Sequence, residues 1–110
     1  MPLFISYASF SNSGVKGMLH KPSDRSSVIK ELVEKAGGKF IAMYYTTGPN
    51  DVVLITEYKD GSDAVASGMA VSAAGAISRL ETVRAWTPGE FKGITEKAAK
   101  VASAYTPPGK

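Results

Sequence analysis

Apolar positions along the 110-residue chain change their spacing several times, and each change marks an element. From Leu3 to Phe10 aromatic and β-branched residues crowd together, which predicts a strand. Ser11-Asn12-Ser13-Gly14 reads as a break, and residues 15–21 carry no clear period, so that at most a short helical turn is expected there. Val28, Ile29, Leu32, Val33 and Ala36 then fall on one stripe of a helix. Ser23 or Asp24 stands where it can cap that helix, and Lys30–Glu34 and Glu31–Lys35 pair along its polar side. Gly37-Gly38 ends it, because glycine takes the left-handed C-cap conformation without a Cβ clash.

Residues 39–46 and 51–58 predict two more strands, and the short turn between them implies an antiparallel hairpin. The corner is Gly48-Pro49-Asn50-Asp51. Gly48 can take a positive φ, Pro49 fixes its own φ, and Asn50 tolerates the left-handed region. The Asp51 side chain can accept hydrogen bonds from nearby backbone N–H groups, so the turn reads as a structural corner. Residues 62–75 predict a helix of small residues with Ser62 at its start, and Ala64, Gly68, Val71 and Gly75 lie near one face. A glycine inside a helix costs about 1 kcal/mol relative to alanine, so close packing on a sheet is the expected reason for Gly68. A fourth strand is predicted over 77–86. Thr87-Pro88-Gly89-Glu90 then forms a capping box with proline at the first helical position. It opens a last helix in which Phe91, Ile94, Ala98, Val101 and Tyr105 make an apolar stripe. Residues 106–110 read as a flexible tail, which leaves 1–105 as a single domain.

The order is βαββαβ followed by a helix. It predicts an α+β, ferredoxin-like fold with a four-stranded antiparallel sheet. Two crossover helices cover one face of such a sheet. The strands nonetheless lack the alternation of a half-exposed sheet: Val52, Val53, Leu54 and Ile55 are apolar in succession, and so are Phe40 to Tyr45. A second copy packing face to face would bury the remaining face; the alternative is that the C-terminal helix folds over it. A homodimer or higher oligomer is the expectation.

Composition narrows the functional classes. The chain has 44% hydrophobic and 21% charged residues, which is ordinary for a globular domain. Its net charge of +3 comes from scattered Lys and Arg with no basic run, so no nucleic-acid partner is expected. No cysteine is present, which excludes disulfides and thiolate chemistry and agrees with a cytoplasmic location. No signal peptide or membrane span is expected from the N-terminal residues or from the apolar runs.

Two motifs carry a family resemblance. One runs from Gly37-Gly38-Lys39-Phe40 through Thr46 to Ile55. The more specific one is Arg79, Glu81, Thr82, Arg84, Ala85, Trp86 and Thr87, with Glu90-Phe91 after it. Together they resemble the GYD family of small bacterial and archaeal proteins, named for a Gly–Tyr–Asp signature between two central strands. Gly48 and Asp51 match that signature, and Asn50 stands where the family has its tyrosine. The resemblance implies a dimeric α+β barrel. Related barrels include monooxygenases and isomerases, so a monooxygenase- or isomerase-like enzyme is one reading by analogy of fold.

Candidate chemistry is sparse. His20 is the only histidine, and no metal site or cofactor is expected from it. Tyr7, His20, Tyr45, Arg79 and Trp86 are the candidate lining of a pocket between sheet and helices, with Arg79 as anion receptor and His20 or a tyrosine as proton donor. The ligand would be a small organic or anionic metabolite; no catalytic residue is identified. The competing reading gives Arg79, Glu81 and Arg84 an interface ion-pair role in a structural or regulatory assembly module without chemistry.

Overall fold

In the computed structural model, which describes residues 1–110, the chain runs β1 (Leu3–Phe10), α1 (Asn12–His20), α2 (Ser26–Lys35), β2 (Lys39–Tyr45), β3 (Val52–Glu57), α3 (Gly61–Ala73), β4 (Ile77–Ala85) and α4 (Pro88–Ala102). The strands form one sheet in the order β2-β3-β1-β4, and each neighbouring pair is antiparallel. This is the ferredoxin-like arrangement expected from the pattern, with one helix more.

The additional helix is α1. The serines expected to break the chain start it instead: the Ser11 hydroxyl accepts from the Gly14 N–H at 3.1 Å. Gly14 and Gly17 inside the helix hide its period. Gly14 is there for space, since a Cβ at that position would run into the Ala76 carbonyl. The start of α1 is tied to the α3–β4 connection by Ser11 N–H to Ala76 O at 2.9 Å and by the Ser11 and Ser13 hydroxyls to Gly75 O at 2.6 and 3.1 Å.

Two helix starts differ from expectation. The cap of α3 is Asp60, not Ser62; its carboxylate accepts from the Ser62 N–H at 2.9 Å, and the helix begins one residue before Ser62. At α2 the cap position is Arg25, which makes no side-chain cap bond. Asp24, one residue earlier, accepts from the Ser26 N–H at 2.8 Å and from its hydroxyl at 2.6 Å. The capping box of α4 forms as the sequence requires, with Thr87 Oγ1 accepting from Glu90 N–H and Glu90 Oε1 accepting from Thr87 N–H. The Thr87 backbone N–H, and then its side chain, hold the Glu90 carboxyl below its usual pKa.

Register fixes the two faces of the sheet. Phe4, Ser6 and Ala8 of β1 lie level with Thr56, Leu54 and Val52 on β3 and with Arg84, Thr82 and Leu80 on β4. This set faces the helices. Ile5 and Tyr7 lie level with Ile55, Val53, Val83 and Glu81 on the opposite face. In β2 strict alternation fails. A bulge between Phe40 and Ala42 gives the strand an extra residue, so Phe40 pairs with Thr56, Met43 with Leu54 and Tyr45 with Val52 on the helix side. Ala42 and Tyr44 fall on the other face.

The core sits at one end of the sheet. Phe4, Val33, Tyr58 and Ala64 are buried together, with Ile29, Ala36, Phe40 and Leu54 packed against them. The Tyr58 ring meets Phe4 edge-on at 5.9 Å, and its hydroxyl donates to Ser67 Oγ at 3.0 Å. Gly68 lies close under Leu80, which accounts for a glycine inside α3. By contrast α4 is barely packed: none of its residues is buried, Ile94 is half-buried, Phe91 and Val101 are 55% and 64% exposed, and Tyr105, beyond the end of the helix, is 70% exposed. The molecule is therefore drawn out to 61 × 32 × 21 Å, with a radius of gyration of 17.9 Å, against about 13 Å for a compact chain of this size. The alternative to an oligomer, that α4 folds back over the sheet in its own chain, does not hold.

At Gly38 an added Cβ would strike the Tyr58 ring and the Glu57 carbonyl oxygen. Gly38→Ala is expected to lower unfolding free energy by about 1–3 kcal/mol, as over-packing does, measured by urea titration. A change below about 0.5 kcal/mol, the range of ordinary surface substitutions, would show that Tyr58 is not wedged there.

Candidate functional site

From the edge of the Phe4–Tyr58 core toward the other end of the sheet, the space under the helices is not filled. There the side chains shrink: Ser6 and Ala8 on β1, Gly68 and Ala74 on α3, Gly14 and Gly17 on α1. What remains is a groove of about 860 Å³ between the sheet and helices α1, α2 and α3. Of the 30 residues lining it, 19 are hydrophobic, so the space favours an apolar occupant over ordered water. Val28, Ile29 and Leu32 wall it from α2, Met43, Val52 and Leu54 from the sheet, and Val71 from α3.

Polar groups in the groove are few. On the floor the Ser6 and Thr82 hydroxyls share a hydrogen bond of 2.8 Å. Tyr45 lines the far wall, its ring tilted against Phe10 at 6.1 Å between centroids. Lys21, Ser23, Asp24 and Arg25, all exposed, form the rim where α1 joins α2. No three His, Asp or Glu side chains gather anywhere in the molecule. No helix is long and apolar enough to cross a membrane.

The five residues expected to form a pocket do not meet. Tyr45 lines the groove. His20 is the exposed last residue of α1 and lies outside the lining. Tyr7 is on the opposite face of the sheet, level with Val53 and Glu81. Arg79 is also on that face, level with Ser9; its guanidinium stands 4.0 Å from Glu81 and 3.5 Å from the Asn50 side-chain oxygen. Both ends of the Arg79–Glu81 pair are more than half exposed, so within one chain the pair contributes little stability. Trp86 follows β4 at the core end, where the Arg84 guanidinium lies over it at 4.6 Å and over Phe4 at 5.9 Å. Arg84 also donates to the Leu3 carbonyl at 3.1 Å and to that of Ala85. It clasps the sheet end and is not free for an anion.

The Gly48–Asp51 corner touches the groove indirectly. Gly48 takes a φ of +96°, as its place in the turn requires, and no non-glycine residue has positive φ, so Asn50 does not use the left-handed region. Thr46 N–H donates to Asp51 O at 2.9 Å and closes the hairpin. The Asp51 carboxylate accepts from Phe10 N–H at 2.9 Å, where the β1–β4 register shifts, and Asp51 N–H donates to Ala8 O at 2.8 Å. The corner thereby fixes the end of β1 and the position of Phe10, which lines the groove. Sequence reasoning missed Ser6, Thr82, Lys21 and Arg25. The one signal available was the drop in side-chain size at Ser6 and Ala8 between Phe4 and Phe10.

A family model, the GYD domain, matches residues 4–95. Among solved structures the chain is similar to TTHA0845 from Thermus thermophilus, at 17% identity and a TM-score of 0.52, over 79% of this chain and 95% of that one. A NIPSNAP-like domain protein from Burkholderia xenovorans (17% identity, TM-score 0.48, 78% and 84% covered) is also similar. So is a provisionally assigned antibiotic biosynthesis monooxygenase from Nitrosomonas europaea (17%, 0.48, 80% and 99%). At this identity the likeness bears on fold alone. No curated protein matches the chain.

Asp51→Ala removes the acceptor of a partly buried N–H. It is expected to cost about 1–3 kcal/mol of stability, the range for a stranded donor, in urea unfolding, with Asp51→Asn costing less because it keeps an acceptor oxygen. Unchanged stability in the alanine variant would remove the corner from the account of how β1 is held.

Proposed function

We infer that this chain, which belongs to the GYD domain family, binds a small, mainly apolar organic molecule in the groove between sheet and helices, and does so as a homo-oligomer. The observation that carries the binding reading is the groove itself: its volume of about 860 Å³ lies in the range of ligand sites, and its apolar walls carry a few hydroxyls. Binding is favoured over turnover by the titratable groups that line it. They are Lys21, Asp24 and Arg25 on the rim and Tyr45 and Tyr58 within, and the Tyr58 hydroxyl is committed to Ser67. The apolar floor meets neither an imidazole nor a carboxylate, the groups most often used to move a proton.

Two uncovered surfaces support the oligomer. Ile5, Tyr7, Val53, Ile55 and Val83 make an apolar centre on the open face of the sheet, with Tyr44 60% exposed beside them. Lys39 lies level with Glu57 at one border of that centre, and Arg79 and Glu81 form an ion pair at another. A border carrying both signs is self-complementary across a two-fold axis, which makes a second copy the fitting occupant. The stripe of α4 lies bare just beyond the end of β4 and would be covered by the same partner.

For the groove, a thermal-shift screen of apolar metabolites is expected to find at least one stabilising compound, since a ligand at a hundred times its Kd adds about 2.7 kcal/mol. Val71→Trp, which fills the groove from α3, should abolish the shift. A compound that stabilises both proteins equally would place the site elsewhere. For the assembly, light scattering at micromolar concentration should give a multiple of the 11.6 kDa chain mass, and Tyr44→Glu with Val83→Asp should reduce it. A wild-type mass of one chain would refute the oligomer.

A further inference from the structure

The rim of the groove differs in charge from the rest of its lining. Lys21, Asp24 and Arg25 are its charged members. Asp24 is already engaged: both hydrogen bonds to its Oδ1 come from Ser26, and they hold its carboxyl below the usual pKa. The chain has two ion pairs within 4.0 Å, Arg79–Glu81 and Lys92–Glu96. Lys21 and Arg25 therefore reach no carboxylate, and neither side chain makes a hydrogen bond within the protein.

We propose that the ligand is an amphiphilic monoanion, with its hydrocarbon part in the groove and a carboxylate head between Lys21 and Arg25. The inference rests on the groove being the binding site. The apolar part follows from the walls: Val28, Ile29 and Leu32 continue from the rim into the interior along one helix. The head group follows from the two cations. A guanidinium matches a carboxylate with two parallel donors, and a lysine beside it adds a mobile ammonium. The single charge follows from the sum at the rim, where two cations and the engaged Asp24 leave one positive charge. A phosphate dianion would meet repulsion from Asp24 that a carboxylate meets less. The Ser6–Thr82 hydroxyl pair on the floor suits a hydroxyl or carbonyl further along the chain or ring.

The test compares decanoate, decanol and decylammonium, each below its micellar range, by isothermal titration at low and high salt. The proteins are the wild type, the double variant Lys21→Glu/Arg25→Glu and the groove-filled Val71→Trp, with circular dichroism confirming their fold. Wild type is expected to bind decanoate about tenfold tighter than decanol, the lower end for a charge-assisted hydrogen bond, and decylammonium weakest. The charge-reversed protein should lose that tenfold for decanoate and keep its affinity for decanol, and added salt should erase the preference. If decanoate and decanol bind the wild type equally and both fail on Val71→Trp, the head-group assignment is overturned while the groove stands as the binding site. If decanoate binding survives in Val71→Trp, or none of the three compounds binds the wild type, the amphiphile assignment falls, and the metabolite screen alone judges the groove.

Discussion

Tyr58 holds the molecule together at one end. Its ring lies against the backbone of Gly38 where α2 gives way to β2, meets Phe4 of the central strand edge-on, and sends its hydroxyl to Ser67 of α3. Two helices and the sheet are thus joined by one residue that is 3% exposed. An aromatic ring in such a place brings a large buried area together with a satisfied polar tip. Val33 and Thr56, each 1% exposed, are enclosed still more fully, and Val33 belongs to the same cluster. With packing concentrated there, α2 and α3 are anchored to the sheet at its Tyr58 end. At the other end small side chains leave room between them, and the groove is the consequence. Closing it falls to α1, which is moored at its own start by Ser11 and Ser13 and stays largely exposed beyond.

The sheet imposes a second requirement. Its central strands are apolar on both faces, and the helices of one chain cover one of them. Eight of 110 residues are buried, a small core for a chain whose composition is ordinary, so much of the apolar surface that usually stabilises a domain is still uncovered. A 15-residue helix such as α4 is marginal on its own in water even with a good cap, and within its own chain Ile94 alone of its residues is half-buried. These facts are what the proposed oligomer rests on: in that reading the uncovered sheet face and the bare α4 are surfaces for a second copy.

Much of this was legible in the residues because the physics involved is local. The hairpin corner was readable from Gly48 and Asp51, whose positive φ and backbone-accepting carboxylate are requirements of the turn itself. The capping box at Thr87–Glu90 is likewise complete within four residues. Gly68 announced close packing through its cost in a helix. Where longer-range geometry decides, the pattern misled. Ser11-Asn12-Ser13-Gly14 has the composition of a break, yet one of its serines caps a helix because Gly75 and Ala76, more than sixty residues away, receive the hydroxyls and backbone. The bulge in β2 moved Phe40 to the face of Met43 and Tyr45, which strict alternation could not foresee. The groove was illegible for the same reason: its lining comes from seven elements and is defined by small side chains, while the sequence draws attention to large and charged ones. Tyr7 and Arg79 looked like pocket residues for their chemistry, but the register of β1 against β4 turns both toward the open face.

In the proposed reading, the rim and the walls of the groove divide the work of recognition. Walls supply affinity through buried area and select for size, and the charged rim selects orientation. Asn50 lies outside this lining, and its side-chain oxygen is 3.5 Å from the Arg79 guanidinium. The most direct examination of the central claim is a crystal structure of the protein purified without refolding. The account predicts continuous elongated density along the groove from the Lys21–Arg25 rim toward Ser6 and Thr82, with no side chain occupying that space. A groove closed by α1 collapsing onto Leu32 and Leu54, with no space left for a ligand, would contradict it.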